Sequence, residues 1–230
     1  MPILAIDTAT LVSSVAIATT DTLVAELMIQ TRKTHSERLM PHIASLLNMA
    51  EITQTSLKAV AVSIGPGSFT GLRIGLATAK ALTYALNIPL IGVPTLAALA
   101  FSCPVPGVIL APMLDAQKGN VYVGLYEWRE DAVYEIQPPR VLAFAAAQAE
   151  LVKLEKPALM LGEAAVMHKA DIVHPVPPHV IMPRAGSVAV MAQVMYGQGI
   201  RHDVAALEPL YIRRSEAEVL WERRQAQEHC

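Results

Sequence analysis

The segment Gly65-Pro66-Gly67-Ser68-Phe69-Thr70-Gly71-Leu72-Arg73-Ile74-Gly75 constrains this chain most, because it joins the apolar run Ala59 to Ile64 to a helical pattern that ends near Leu86. A strand, a glycine turn and a helix in that order leave free N–H groups at the helix start, ready for an anion or for a closely packed neighbour. The turn is therefore a phosphate site or a packing device. A dinucleotide loop needs Gly-x-Gly-x-x-Gly, and here Gly71 comes one residue late. A P-loop needs Gly-Lys-Ser/Thr, and Gly71 is followed by Leu72. Neither common nucleotide fingerprint is met.

Flanking this turn, apolar runs alternate with helical ones: 57–64, 68–86, 89–92 and 95–102, which predicts an α/β fold with a parallel extension of a sheet. Three β-rich runs precede them, Ile3 to Asp7, Ser13 to Ala18 and Leu23 to Gln30, and read as an antiparallel meander. A helix is expected from Thr34, with Thr34 and Glu37 at capping-box spacing and Leu39, Ile43, Leu46 and Leu47 on one side; Pro41 either kinks it or marks its true first turn. No charged residue occurs from Ala81 to Leu114, but five prolines cut that stretch into pieces too short to span a bilayer, so no membrane segment is expected.

Strand character resumes at Val108 to Leu114 and Val121 to Trp128. This second start resembles the first: an apolar strand, an Asp, a tight turn and a returning strand occur around Asp7 and again around Asp115, which suggests two related domains. We place the first at 1–103, completed by a returning segment near 187–213, and the second at 104–186, with a tail at 214–230. Residues 138–183 read as a short helix near Phe144 to Leu154 among Pro-rich loops, followed by a helix at 187–198.

The chain has 53% hydrophobic and only 17% charged residues against the roughly 25% usual in soluble domains, so association with a partner is expected. A net charge of −2 supplies no global field for nucleic acid. Two cysteines, Cys103 and Cys230, and an N-terminus without a charged leader and long apolar core fit a reducing cytoplasm. The histidines lack metal-ligand spacing, and Ser63, Ser68 and Thr70 have no fixed His and acid partners. Asp7 either orients a hydrated ion on phosphates or caps its own turn. Gly71, Gly75 and Ala79, four apart, form a stripe without bulk that admits another backbone, from this chain or another. The interleaved Arg213-Arg214, Glu216, Glu218, Glu222 and Arg223-Arg224 read as a salt-bridged, solvated tail.

Together, Ile6-Asp7-Thr8-Ala9-Thr10, His35 to Pro41, Gly65 to Gly75, Asp115-Ala116 and Pro209-Leu210-Tyr211-Ile212-Arg213 resemble the TsaB (YeaZ) family. The resemblance implies an actin-like ATPase, ribonuclease H-like fold in two related subdomains, and a role in making threonylcarbamoyladenosine beside the anticodon of tRNA. It further implies a non-catalytic partner of a TsaD-like transferase, an associated TsaE-like ATPase, a homodimer in isolation, and tRNA contact through the complex. It places a vestigial or weak nucleotide site at Asp7, Thr8, Gly65, Gly67 and Asp115, with no tightly bound cofactor and ATP or ADP with magnesium confined to the complex interface. The partner surface implied comprises His35, Leu39, Ile43, Leu46, Gly71, Gly75 and Ala79. Where TsaD carries a His-x-x-x-His metal pair, this chain has Thr95 and Leu99. Where the family usually has Arg and Glu after Asp115-Ala116, it has Gln117 and Asn120, and Ala9 stands where actin-like kinases place glycine. The competing expectations are a small ATP-dependent kinase built on Asp7 and Asp115, and, last, a glycoprotease.

Overall fold

The computed structural model describes residues 1–30, 35–167 and 180–213. β1 (Ile3–Asp7), β2 (Val12–Ala18) and β3 (Leu23–Gln30) form an antiparallel meander, and β4 (Ala59–Ser63) and β5 (Leu90–Val93) continue it in parallel with β1. The resulting strand order is β3-β2-β1-β4-β5. Both faces of β1 and β4 are buried, so their period-two pattern separates large from small side chains rather than apolar from polar. Leu4, Ile6, Val60 and Val62 meet α1 (His35–Met49) and α2 (Phe69–Leu86) on one face. Ala5, Ala16, Ala59 and Ala61 meet the other face's helix, α6 (Ala185–Gly197), through Ala185, Ala189 and Ala192. Alanine against alanine lets that helix lie close to the sheet.

α6 is pinned at its start. Glu26 of β3 accepts hydrogen bonds from Gly186 N (2.8 Å) and the Arg184 guanidinium, and Ser14 Oγ accepts from Ala185 N (3.0 Å). A carboxylate at a helix N-terminus satisfies free N–H groups and the helix dipole together.

The second lobe repeats the first with one strand fewer. β6 (Ile109–Asp115), β7 (Asn120–Arg129) and β8 (Ala132–Ala143) are antiparallel, and β9 (Ala158–Leu161) runs parallel to β6, giving the order β8-β7-β6-β9. α4 (Phe144–Val152) packs on β7 and β8, and α5 (Glu163–Met167) follows β9. α3 (Thr95–Phe101) forms the seam: Leu96, Leu99 and Ala100 share an apolar cluster with Leu110, Leu114, Tyr126 and Leu161 of the second lobe.

β8, β9 and α5 replace much of the loop expected from the sequence over 138–183. β8 tolerates Pro138 and Pro139 because it is an edge strand whose ladder is irregular there: pairing jumps from Val123↔Arg140 to Leu125↔Gln137. A residue without an N–H costs least at such a place. The expected capping box falls on Thr34, outside the described residues. Pro41 lies within α1, so that helix begins before it. Among the described residues no helix is long and apolar enough to cross a membrane.

Candidate functional site

The glycine turn after β4 packs onto the turn after β1. Ser68 N donates to Ala9 O (2.7 Å), and a Cβ added at Gly67 would sit 2.4 Å from that same carbonyl oxygen. One turn further along α2, a Cβ at Gly71 would lie 2.0 Å from Thr8 O, and one at Gly75 would lie 2.3 Å from Thr8 Oγ1. Thr8 Oγ1 donates in turn to Gly71 O (2.8 Å). The glycines therefore remove bulk where two backbones of this chain touch, and Ser68 caps α2 by accepting from Gly71 N (3.3 Å). Gly65 adopts φ +112° while exchanging hydrogen bonds with Thr95, through Gly65 N to Thr95 Oγ1 (3.0 Å) and Thr95 N to Gly65 O (2.8 Å).

Asp7 lies beneath this contact, 1% exposed. Its Oδ1 accepts from Ala9 N (3.1 Å), while Oδ2 has no hydrogen-bond partner. Ser63 Oγ is likewise buried without a partner of good geometry, although it is near enough to offset part of the pKa rise at Asp7. Burial pushes the Asp7 carboxyl from 3.8 up to about 6, against the lowering effect of the Ala9 N–H. Thr8, Gly65 and Gly67, expected at a weak nucleotide site, pack closely against atoms of this chain, while Ala9, Gly67 and Ser68 also line the cleft between the lobes.

The matching turn after β6 is open. Asp115 is half-buried, its Oδ1 accepts from Gln117 N (2.8 Å), and its own N–H donates to Glu163 Oε1 (3.1 Å). Burial raises the Glu163 pKa, the Asp115 N–H opposes the rise, and the Asp115 charge adds to it. Gln117, Lys118 and Gly119 all have left-handed φ, at 65°, 56° and 77°. Asn120 holds that turn through its N–H and Nδ2 to Gln117 O (3.1 and 3.2 Å). At this position the amide thus braces the loop where the family usually has Glu.

Between the two turns is a cleft of 760 Å³, lined by Phe69, Arg73, Asp115, Tyr122, Glu163 and Tyr211 among others. Burial raises the Tyr122 pKa, with Arg213 opposing. The segment 202–213 borders the cleft. His202 N donates to Leu90 O (2.9 Å), Leu210 N to Ile64 O (2.7 Å), and Arg73 Nε to Tyr211 OH (2.9 Å). Tyr211 stacks on Phe69 at 4.7 Å between centroids, and Arg213 donates to Ala116 O of the second lobe. Glu163 and Tyr122 escaped the sequence reading; nothing in their spacing marks them. Tyr211 stood in a quoted motif without a role, and Arg213, expected in a salt-bridged, solvated tail, is instead part-buried and donates to Ala116 O.

The expected partner surface is corrected in its residues. Leu39, Ile43, Leu46 and Ala79 lie in the first lobe's core, and Gly71 and Gly75 face Thr8. Their stripe serves this chain's own packing and is closed to another subunit. The His35 side chain lies outside the described residues. The outward face of α2 instead carries Arg73, Ala77, Ala81 and Ala85, with Tyr84 87% exposed beside them. At the positions of the TsaD metal pair, Thr95 holds Gly65, and Leu99 is fully buried among apolar side chains. Among the described residues no three His, Cys, Asp or Glu side chains are grouped so as to hold a metal.

A family model described as "TsaD: tRNA N6-adenosine threonylcarbamoyltransferase" matches residues 24–221. A Bacillus subtilis (strain 168) protein named "tRNA threonylcarbamoyladenosine biosynthesis protein TsaB" is 33% identical, covering 96% of this chain and 98% of that one. An Escherichia coli (strain K12) protein of the same name is 30% identical, covering 94% and 96%. The solved structure of YeaZ from Pseudomonas aeruginosa superposes with a TM-score of 0.74 at 25% identity, covering 91% of this chain and 99% of that one. Relatives matched along nearly their whole length, with the same two-sheet architecture, show that the chain belongs to the TsaB (YeaZ) family.

Proposed function

We propose that this protein is a non-catalytic partner subunit in the biosynthesis of tRNA threonylcarbamoyladenosine, pairing with a TsaD-like transferase and working with a TsaE-like ATPase. The names of the relatives supply the pathway. The observation that supports the non-catalytic reading is the tightly packed turn beside Asp7, where Ser68 N donates to the Ala9 carbonyl and Gly67 and Gly71 lie against Ala9 and Thr8. No nucleotide step is assigned to this chain, and ATP or ADP with magnesium belongs at an interface between subunits. tRNA reaches the complex mainly through other subunits, given the net charge of −2.

The outer faces of α1 and α2 supply the pairing surface. Met40, Met49 and Tyr84 are exposed there, and Ala77, Ala81 and Ala85 allow a second helix to approach closely. The same surface supports a homodimer when the transferase is absent. The deciding experiment is nucleoside mass spectrometry of bulk tRNA from cells depleted of this protein and then rescued with the intact chain. The expected result is loss of threonylcarbamoyladenosine and recovery on rescue; unchanged modification would overturn the reading. The open Asp115 side of the cleft favours the kinase alternative, which requires ATP turnover by the isolated chain that Asp115→Asn abolishes.

A further inference from the structure

The charged and polar groups around the cleft are largely engaged by the chain itself. Arg73 holds Tyr211, Glu163 holds the Asp115 N–H, Asp115 holds the Gln117 N–H, and Arg213 holds the Ala116 carbonyl. Such a set ties parts of one molecule together more readily than it receives a ligand. The geometry points to a latch: residues 209–213 fasten the two lobes across the open side of the cleft and set how far apart they stand.

The lobes meet at the back through α3, whose Leu96, Leu99 and Ala100 pack against Leu110, Leu114 and Leu161. An apolar seam of this kind permits rocking, because dispersion and burial lack the directionality of hydrogen bonds. The front is spanned differently. Leu210 N is bonded to Ile64 O beside the glycine turn, and a Cβ on Gly65 would lie 2.9 Å from Leu210 O, so the strap is seated on the first lobe without a gap. Tyr211 adds a stacked ring on Phe69, with the Arg73 guanidinium 3.9 Å above that ring. Only Ile212 separates this seat from the catch. Arg213 crosses to the carbonyl of Ala116, the residue that opens the left-handed turn 117–119. A charge-assisted donor on the carbonyl that precedes the left-handed residues Gln117, Lys118 and Gly119 fastens this turn of the second lobe to the strap.

The strap is also held by Phe69 and Arg73 of α2, the helix whose outer face the proposed partner covers. The latch nevertheless does not depend on that partner, and its test uses the isolated full-length chain.

Spin labels at Asp21→Cys and Asp131→Cys, both exposed and on opposite lobes, report the lobe separation by pulsed electron resonance in a Cys230→Ser background. The parent should give one narrow distance distribution. Arg213→Ala and Tyr211→Ala should each broaden it and shift it to longer distance, Arg213→Lys should stay near the parent, and Tyr211→Phe, which keeps the stack, should broaden it least. Amide exchange in peptide 116–123 should quicken about tenfold in Arg213→Ala. Unchanged distributions in folded Arg213→Ala would overturn the latch, even with faster exchange, since that combination would mean the contact steadies only the turn. Should Tyr211→Ala unfold, Arg213→Ala decides alone, because its side chain is not in the core.

Discussion

The two lobes carry the same opening, an apolar strand ending in Asp and a turn into an antiparallel partner, yet the Asp residues have opposite surroundings. Asp7 is 1% exposed beneath a glycine turn that packs down on Thr8 and Ala9. Asp115 stands at the rim of a 760 Å³ cleft beside Glu163. The covering segment makes the difference. After β4 the chain supplies glycines at 65, 67, 71 and 75 and lays a long helix over the turn; after β9 it supplies Gly162, whose Cβ would meet Met113 O at 2.1 Å, and then only the five-residue α5. A repeated strand-Asp-turn thus becomes a buried strut in one lobe and a surface element in the other.

The strongest way to break the comparison is to put bulk into the closed lobe. Gly71→Ala places a Cβ against Thr8 O, a backbone atom that cannot step aside, and should cost about 3 kcal/mol or more in urea unfolding. Gly75→Leu should likewise damage the monomer itself, so loss of pairing in that variant would say nothing about an interface.

The buried carboxylate gives the next largest effect. The Asp7 pKa is about 6 in the folded chain against an ordinary 3.8, so folding favours the protonated form. The stability linked to this group is fully present below about pH 3.8 and lost as pH rises through about 6. Asp7→Asn cannot ionise and should be the more stable form at pH 8 by up to about 3 kcal/mol, the advantage shrinking toward zero near pH 4. Asp115→Asn, whose amide oxygen can still accept from Gln117 N, should change stability by less than about 0.5 kcal/mol. Parallel urea titrations of both variants at pH 4.5 and 8 check the contrast, and equal responses would erase the distinction between the lobes.

The outward stripe of α2 sharpens the picture within the closed lobe. Ala81→Glu should leave the melting temperature within about 2 °C while weakening self-pairing or transferase binding at least about tenfold, read by sedimentation or calorimetry. A small effect is also expected of Gly119→Ala in the open lobe. Its Cβ meets nothing within 4 Å, so only the left-handed backbone opposes it, at about 1 kcal/mol.

The first lobe was legible because its signals are local: apolar runs at 3–7 and 59–63, a glycine turn and a long helical stretch between them. The packing role expected of Gly71 and Gly75 holds, and the neighbour that spacing left open is Thr8 of this chain; the subunit surface implied by the resemblance is what changes. Periodicity marks 71–75–79 and 77–81–85 equally as small stripes, and only the sheet decides which one turns inward. β8 was hidden by Pro138-Pro139, since proline argues against a strand unless the strand is at an edge, and edges are a property of the assembled sheet. Glu163 reaches the site from the start of α5, which follows a four-residue strand too short for alternation to reveal. The unequal fates of Asp7 and Asp115 were not readable either, because each depends on a segment about fifty residues downstream.

The position of α6 has a consequence for the order in which the molecule is made. Its alanines close the face of the sheet carrying Ala5, Ala16 and Ala61, and Gln193 Nε2 donates to both Met1 O and Ala18 O (2.7 Å each). On the ribosome, β1 to β5 emerge first but keep that face wet until residues 185–193 have been synthesised, while the contiguous second lobe can close as soon as α5 is out, with Ala164 and Ala165 completing its core. The lobe begun first is therefore finished last, and any truncation before Ala185 should yield a nascent sheet with a sticky underside, a substrate for chaperones in place of a smaller working protein.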